Sequence, residues 1–226
     1  MTTARTRPEV VAFDVNETLL DLGPVQAALV EHGQPGELLP TVFSRTLGLG
    51  WAATVAGTWV PFRAAFESAL GQLTGLDPAQ RSSVADTFRE LSPHPDVEPA
   101  LRRLTAAGVR AVTLSHGSAG VAEAGLARGG VAPLVERTLT SESIRTWKPD
   151  RAAYLWGAGV CGVEPERMAL VAVHSWDVHG AQRAGLTGGW TSRTEHEPAA
   201  VLDPPHVRGG SLLEVVDALL ALPPHG

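Results

Sequence analysis

The chain has 226 residues, a net charge of −6 at neutral pH and a single cysteine, Cys161. Its length suits one large domain or a core with a small insert. A single cysteine cannot form a disulfide within the chain, and a core of this size is stable without one. The negative charge argues against nucleic acid or an anionic membrane surface as a partner, and the absence of an apolar run of 18 residues excludes a transmembrane helix.

The lone cysteine favours a reducing compartment, so we expect a cytoplasmic protein. Residues 1–8 lack the apolar core of a signal peptide and are predicted to form a loose tail. Residues 10–13 then read as a short, buried parallel strand, because they are apolar and β-branched.

After residue 91, strand and helix patterns alternate. Strands are predicted at 109–114, 135–139, 168–173 and near 187–191, and helices at 96–107, 118–128, 150–159, 177–184 and 211–222. Residues 195–210 are rich in Pro, Gly and His and read as a surface loop. This alternation predicts an α/β fold with a parallel sheet and right-handed crossovers.

Between the first and second strands the alternation is interrupted. Residues 24–91 show helical periodicity without a convincing strand, and helices are predicted near 24–32, 38–54, 60–72 and 78–90. We therefore predict an α/β core domain, residues 1–22 and 92–226, and a helical cap domain, residues 23–91. A cap over the carboxyl ends of the strands would exclude water from a crevice there.

Asp14 ends the first apolar run, and polar residues follow at once. A carboxylate at the carboxyl end of a buried parallel strand lies where open α/β sheets bind their ligands. With Thr18 four residues later, Asp14 is a candidate nucleophile, because a carboxylate can attack an electrophilic centre and form an ester. The alternative is an Asp that only hydrogen-bonds the next turn.

Four strand-end segments carry polar residues suited to chemistry. They are residues 13–19 (FDVNETL), 113–118 (TLSHGS), 147–150 (WKPD) and 173–181 (VHSWDVHGA). In order and spacing they resemble the haloacid dehalogenase superfamily, and more narrowly the type II 2-haloacid dehalogenases. The resemblance covers nearly the whole chain and implies a Rossmann-like sheet with an inserted helical cap.

The resemblance also implies a two-step hydrolysis without a cofactor. Asp14 would displace halide from a short 2-haloalkanoic acid, and water would then hydrolyse the resulting ester. Lys148 would keep Asp14 ionised, and Asp177 would orient Lys148 or the attacking water. The implied substrate-binding residues are Val15, Asn16, Thr18, Ser115, Tyr154 and Trp176. The family resemblance further implies a homodimer.

Several positions depart from the type II pattern. Asn16 and Glu17 replace a usual Tyr-Gly pair, and His116 stands where the family often has an Asn that contacts the departing halide. His174 stands where an Asn takes part in ester hydrolysis. Because an imidazole can accept a proton near neutral pH, we hypothesise that His174 is the base of that step or assists it. The alternative is a structural histidine filling the space of the Asn.

The halide-binding arginine of the family lies early in the cap, just after an aromatic residue. Arg45, two residues after Phe43, is the first candidate, and Arg63, after Phe62, is the second. Either arginine could instead be a solvated residue on the cap surface.

Two other functions stay open. Phosphatases of the superfamily carry a second Asp two residues after the nucleophile and extra carboxylates that hold magnesium. Here those positions offer Asn16 and only Asp177, which favours the metal-free branch. A magnesium-dependent phosphatase or phosphonatase-like enzyme is one alternative, and an inactive binding protein on the same fold is the other. His174, Asp177 and His179 have a metal-like spacing, but side chains at the start of a helix do not converge easily, so we expect no metal site.

Overall fold

The computed structural model describes residues 5–224, and within that range it has a six-stranded parallel sheet with helices on both faces. The strands are β1 (Val10–Phe13), β2 (Arg110–Ser115), β3 (Arg137–Thr140), β4 (Met168–Ala172), β5 (Thr187–Thr191) and β6 (Val207–Gly209). The helices are α1 (Gly23–Glu31), α2 (Leu39–Val55), α3 (Phe62–Leu73), α4 (Pro78–Asp86), α5 (Val97–Ala106), α6 (Ala119–Arg128), α7 (Arg151–Cys161), α8 (Ser175–Arg183) and α9 (Leu212–Leu220). The predicted α/β architecture is confirmed.

The strand order is β3-β2-β1-β4-β5-β6. From β1 the chain builds the sheet outward through β2 and β3, and then returns to the other side of β1 to add β4, β5 and β6. The order therefore reverses beside β1, and a parallel sheet leaves a crevice at such a point, outside the carboxyl ends of its strands. Phe13, the last residue of β1, is in register with Thr113 of β2 and Val171 of β4.

Side chains of β1 alternate between two apolar layers, as the period of a strand requires. Val11 and Phe13 pack into the layer that also contains the buried faces of α5 and α9. Val10 and Ala12 pack into the opposite layer, with residues of α7 and α8. Because β1 is covered on both faces, the residue that follows it is fixed in position.

Helices α1–α4 lie between β1 and α5, and we call residues 23–91 the helical insert. Its boundaries as a separate cap domain stay a prediction. Apolar residues of the insert continue into the layer formed by α5 and α9. The indole of Trp147 donates a hydrogen bond to the carbonyl of Val60 (3.0 Å), and that of Trp51 to the carbonyl of Lys148 (2.8 Å). These contacts hold the insert against the segment that carries Lys148.

Two details at the edges differ from the sequence-based expectation. The predicted loop at 195–210 contains β6, a three-residue edge strand that is too short to show a periodic pattern. Residues 1–4 of the predicted tail lie outside the described residues. The rest of the tail is held in place, since Arg7 donates a backbone hydrogen bond to Pro223 (2.8 Å). Of the helices in the described range, none combines the length and apolar character needed to cross a bilayer.

Helix α2 approaches Trp147 so closely that only glycine fits at position 50. A Cβ on Gly50 would lie 2.2 Å from the indole ring of Trp147, whereas a Cβ on Gly48, on the same helix, would meet nothing within 4 Å. We expect Gly50→Ala to lower the free energy of unfolding by about 1–3 kcal/mol through overpacking. Gly48→Ala is the matched control and is expected to be neutral or to stabilise by up to about 1 kcal/mol.

Urea denaturation of the two variants measures the difference. Equal stability of Gly50→Ala and Gly48→Ala would contradict the close packing of α2 on Trp147.

Candidate active site

The carboxyl ends of three neighbouring strands bring the candidate residues together. Asp14 follows β1, Ser115 ends β2, and His174 lies two residues after β4. Lys148 comes from the segment before α7, and Asp177 from the first turn of α8. All five side chains are buried at the crevice beside β1.

The ammonium group of Lys148 is at the centre of the site. Nζ donates to Asp14 Oδ1 (2.9 Å), to Asp177 Oδ2 (2.6 Å) and to the carbonyl of Leu114 (2.8 Å). A lysine has three N–H donors, so this fully buried group is completely satisfied. Burial favours its neutral form, but the charges of Asp14 and Asp177 outweigh burial and raise the pKa of Lys148. The group therefore stays a cation at neutral pH.

Asp14 is held as a carboxylate by this cation. Burial by itself would raise the pKa of Asp14, but the charge of Lys148, with help from His174, holds the pKa well below the usual range of an aspartate. Asp14 stays slightly exposed, at 6%. An ionised, partly desolvated and still accessible carboxylate is what a nucleophilic role requires.

Thr18 lies beneath this carboxylate and away from the cavity. Its hydroxyl donates to Asp14 Oδ2 (2.9 Å) and accepts the backbone N–H of Val173 (3.2 Å). The side chain is fully buried. This corrects the expectation that Thr18 contacts substrate, because its hydroxyl is used to hold the nucleophile.

Asp177 and Tyr154 form a second layer behind Lys148. The hydroxyl of Tyr154 donates to Asp177 Oδ1 (2.7 Å), while the other carboxylate oxygen accepts from Lys148. Burial and the negative charge of Asp14 raise the pKa of Asp177, and burial together with Asp177 raises the pKa of Tyr154 well above its ordinary value. Tyr154 is fully buried, so the structure corrects its expected substrate contact to a positioning contact with Asp177.

Position 180, in the fourth motif, has room only for glycine. A Cβ at this position would lie 2.6 Å from the hydroxyl of Tyr154 and 2.5 Å from Cβ of Pro149. Glycine therefore allows α8 to approach the segment that carries Lys148.

His174 lies between two carboxylates. Its Nε2 is 2.9 Å from Glu17 Oε2, and its Nδ1 is 3.6 Å from Asp14 Oδ2. Burial disfavours the charged ring, but the carboxylates of Asp14 and Glu17 raise the pKa of His174 to about 10. Before substrate reacts, His174 is therefore protonated at neutral pH. The hypothesis that His174 is the base of ester hydrolysis, or assists it, stays a prediction, and that role requires the ring to lose a proton first.

Glu17 is the residue that the sequence reasoning missed. Its backbone has φ of 64°, a left-handed conformation that favours glycine. The guanidinium of Arg193 donates to the carbonyls of Glu17 and Thr18 and pairs with Asp96, which fixes this turn. The sequence did carry a signal. Glu17 stands where the type II pattern usually has a glycine, so a residue with a side chain must adopt a conformation that glycine adopts easily.

His116 and two indoles form the wall beside Lys148. The ring of His116 packs on Trp147 (centroids 4.5 Å apart) and on Trp176 (5.9 Å), and Trp176 also packs on His174 (5.5 Å). Burial and the charge of Lys148 hold the pKa of His116 well below its ordinary value, so the ring is neutral. Its Nδ1 lies 3.4 Å from Ser141 Oγ, whereas its buried Nε2 has no hydrogen-bond partner among the described residues.

A cavity of about 110 Å³ lies next to Asn16. It lies between the helical insert and the start of α6, and its other lining residues include Phe62, Phe66, Phe88, Gly117 and Ser118. Val15, the residue before Asn16, is buried. The volume suits a small molecule of a few heavy atoms.

The candidate arginines are not brought to Asp14. Arg45 is exposed on α2 and donates to Gln72 (3.0 Å), so the prediction that it contacts a halide in the site is corrected. Arg45 lies two residues after Phe43, about 200° around the helix. Because Phe43 stacks on His174 (5.9 Å), Arg45 points away. Arg63 lines the cavity, but its guanidinium is bound to Glu67 and Asp86.

Ser115 Oγ accepts the backbone N–H of Gly117 (3.0 Å), so its own proton can be donated to a ligand.

The side chains of the fourth motif that have a metal-like spacing do not converge, because His179 pairs with Asp203 (3.3 Å). Within the described part of the chain, no group of three or more His, Cys, Asp or Glu side chains is arranged to hold a metal ion.

Comparisons with known proteins agree with this geometry. A family model described as haloacid dehalogenase-like hydrolase matches residues 8–185. The (S)-2-haloacid dehalogenase H-109 of Pseudomonas putida is 27% identical over 192 residues, which cover 82% of this chain and 86% of that protein. Haloacetate dehalogenase H-2 of Moraxella sp. (strain B) is 28% identical over 82% of this chain and 86% of its own. The solved structure of L-2-haloacid dehalogenase RSc1362 superposes with a TM-score of 0.86 and 26% identity, covering 97% of this chain and all of that one.

Proposed function

This chain belongs to the haloacid dehalogenase-like hydrolases, and from that premise we propose that it releases halide from short 2-haloalkanoic acids through an ester on Asp14. The observation that carries the proposal is the Asp14 carboxylate, which Lys148 holds ionised at the carboxyl end of β1, two residues before Asn16 of the small cavity. The similar proteins named above act on 2-haloacids and haloacetate, which gives the substrate class.

In the first step an oxygen of Asp14 attacks the α-carbon of the substrate from the side opposite the halogen. The new C–O bond forms as the carbon–halogen bond breaks, and the halide leaves with the bonding electrons. A halide needs no protonation to leave, so the position two residues after the nucleophile needs no acid, and it is Asn16 here. The buried ring of His116, with Nε2 available to donate when Ser141 donates to Nδ1, is the candidate contact for the halide.

In the second step water adds to the carbonyl carbon of the Asp14 ester. The bond from that carbon to the alkyl oxygen breaks, which releases the 2-hydroxy acid and regenerates Asp14. Lys148 and Asp177 stay paired through both steps, so Lys148 keeps the regenerated carboxylate ionised.

The donor set also separates this activity from magnesium-dependent phosphatase chemistry. Lys148 Nζ donates to one oxygen of Asp177 and to one oxygen of Asp14, and Tyr154 and Thr18 donate to the other oxygens. The ammonium of Lys148 therefore lies between the two carboxylates that a divalent cation would need. These residues do not fit a magnesium ion.

The substrate carboxylate would be bound by neutral donors and the Lys148 charge instead of an arginine. The Ser115 hydroxyl keeps its proton to donate, and backbone N–H groups after β2, at Ser118 on the cavity wall, can also donate to an anion.

The activity is tested by halide release from both enantiomers of 2-chloropropionate, from chloroacetate and from fluoroacetate, with EDTA present throughout. We expect release from at least one substrate, at a rate that EDTA does not change. Absence of release from all of them, together with magnesium-dependent release of phosphate from small phosphate esters, would contradict the proposal.

The displacement step is expected to be independent of pH over the physiological range. Lys148 holds the pKa of Asp14 below its ordinary value, so the carboxylate stays ionised as the pH falls. The rate of the first-turnover halide burst should therefore be constant between about pH 5 and 8. Rapid-quench measurement of that burst checks it, and a loss of rate centred between pH 5 and 7 would show that Asp14 is not held ionised.

We also propose a homodimer and a cytoplasmic location. The family resemblance supports the first, and the single buried cysteine fits the second. Sedimentation velocity of the purified chain measures the assembly.

A further inference from the structure

We propose that Glu17 and His174 act as a dyad in ester hydrolysis, in which His174 Nδ1 takes the proton of the attacking water and Glu17, hydrogen-bonded to Nε2, orients the ring and stabilises its protonated form. The inference rests on the proposed function, because it concerns the second step of that reaction. It adds Glu17 as a positioning residue that the family resemblance does not supply.

The contacts of the ring support these roles. His174 Nε2 lies 2.9 Å from Glu17 Oε2, and its Nδ1 faces Asp14, 3.6 Å from Oδ2. Phe43 and Trp176 pack against the ring and keep it in this orientation. The nitrogen that faces the reacting carboxylate is therefore the one free to exchange a proton with water, while the other is held by Glu17.

Glu17 connects this ring to a second cavity. That cavity, of about 230 Å³, opens on the surface and is lined by Glu17, Asp21, Glu37, His94 and Arg193, among others. It is distinct from the cavity next to Asn16, which is lined by residues of the insert and α6. The side chain of Glu17 is 25% exposed, so the carboxylate that holds His174 Nε2 also reaches this cavity.

The fold also holds Glu17 in a conformation that serves this contact. Its φ of 64° is costly for a residue with a side chain, and the carbonyl bonds from Arg193 maintain it. A turn that glycine would form more easily instead carries a carboxylate aimed at His174. Strain of this kind indicates a function for the side chain.

The protons balance over one turnover. In the resting enzyme His174 is protonated between two anions, Asp14 and Glu17. When Asp14 becomes an ester it loses its negative charge, which removes one of the two anions that stabilise the protonated ring. His174 then loses its Nδ1 proton to water, while Nε2–H stays hydrogen-bonded to Glu17, so the ring becomes a neutral base at the nitrogen that faces the ester.

Neutral His174 next takes a proton from the water that attacks the ester carbonyl carbon. It returns that proton to the alkyl oxygen as the carbon–oxygen bond breaks and the 2-hydroxy acid leaves. The regenerated carboxyl group of Asp14 then ionises and protonates His174 again. The single proton released per turnover is the one that hydrolysis of a carbon–halogen bond must produce.

The test is the Glu17→Gln variant, followed in single turnover with 2-chloropropionate or chloroacetate. Rapid quench measures the halide burst, and intact-protein mass spectrometry measures the ester on Asp14. We expect a halide burst within about twofold of wild type, accumulation of the ester, and ester hydrolysis slowed by about 10²-fold. Glu37→Gln removes a carboxylate from the same cavity and is the matched control, with both steps unchanged.

The pH profile of ester hydrolysis separates this role from a structural one. The titratable groups that face His174 are Asp14, Glu17 and neutral His116, and from α2 the ring of Phe43 packs on it. Loss of the Glu17 charge makes protonated His174 less stable, so the midpoint of the rate profile should move to lower pH. Glu17→Gly keeps the left-handed turn without a carboxylate, and we expect it to show the same slow hydrolysis.

Two outcomes would overturn the dyad while leaving the dehalogenase activity intact. The first is a normal halide burst with ester hydrolysis at the wild-type rate in Glu17→Gln. The second is wild-type hydrolysis in Glu17→Gly, because the defect of the Gln variant would then come from its side chain and not from loss of the carboxylate. If wild type itself gave no halide, the proposed function would fail, and the dyad with it.

Discussion

The Asp14→Asn variant is expected to lose halide release by at least about four orders of magnitude, below detection in a steady-state assay. An amide oxygen carries no charge and is a poor nucleophile towards an alkyl halide. The substitution keeps the shape of the side chain, so the contacts of Asp14 with Lys148 and Thr18 can be retained in part. The effect should therefore appear in chemistry more than in folding.

Asp21→Asn is the matched control for this variant. Asp21 lies in the same loop, is exposed, and accepts only the backbone N–H of Gly23 (3.0 Å) among its hydrogen bonds in the structure. We expect Asp21→Asn to keep halide release within about twofold of wild type, since surface changes of this kind have small effects. Normal turnover by Asp14→Asn would show that another group attacks the substrate.

Oxygen labelling identifies the step in which Asp14 takes part. In a single turnover in ¹⁸O-water, the oxygen of the new alcohol comes from the Asp14 carboxylate, and the label enters the enzyme. Direct attack of water on the substrate would instead place the label in the 2-hydroxy acid during that first turnover.

The Lys148→Met variant is expected to be the most destabilising single change in the site, with a loss of about 3–5 kcal/mol in the free energy of unfolding. Lys148 is the only lysine of the chain, and its ammonium is fully buried between Asp14 and Asp177. Its removal leaves two carboxylates close together in a buried site without a cation. Halide release should be lost as well, because Asp14 would no longer be held ionised.

The pH dependence of this loss distinguishes unpaired charge from lost packing. In the variant, burial and mutual repulsion raise the pKa values of Asp14 and Asp177 above those in the unfolded chain. A group whose pKa is raised by folding stabilises the folded state as it becomes protonated, so the deficit should shrink as the pH falls from 8 to about 5. The second change Asp177→Asn in the same variant should recover part of the stability at pH 8.

Urea denaturation at several pH values measures both effects. A deficit that is the same at pH 5 and pH 8, with no gain from Asp177→Asn, would mean that the two carboxylates do not depend on Lys148 for their charge.

Much of the fold follows from local patterns in the sequence. Short apolar β-branched runs give β1 and β4, and helical periodicity ended by glycine gives most helices within one to three residues of their predicted bounds. Strand β6 was the one strand not predicted, because three residues at a sheet edge are too few to show a periodic pattern. The predicted division into core and cap domains stays a prediction, although the elements of the insert are all helices joined by short turns.

The site could be predicted where it depends on the backbone of the sheet, and less well where it depends on side-chain direction. Arg45 shows the difference: its distance in sequence from the nucleophile fits, but α2 turns the face with Phe43 towards His174 and Arg45 towards Gln72. Tyr154 shows it again, because a motif position does not reveal whether a hydroxyl faces the cavity or the carboxylate behind it.

Local patterns predict a parallel sheet, and the motifs predict that Asp14 and Lys148 meet in one site. Strand and helix patterns are local, and parallel strands bring their carboxyl ends to one edge, so the main residues had to meet there. Only the tertiary structure decided that Glu17 pairs with His174. That contact joins residues 157 positions apart through one left-handed backbone angle and one ring orientation, and packing of the assembled chain sets both.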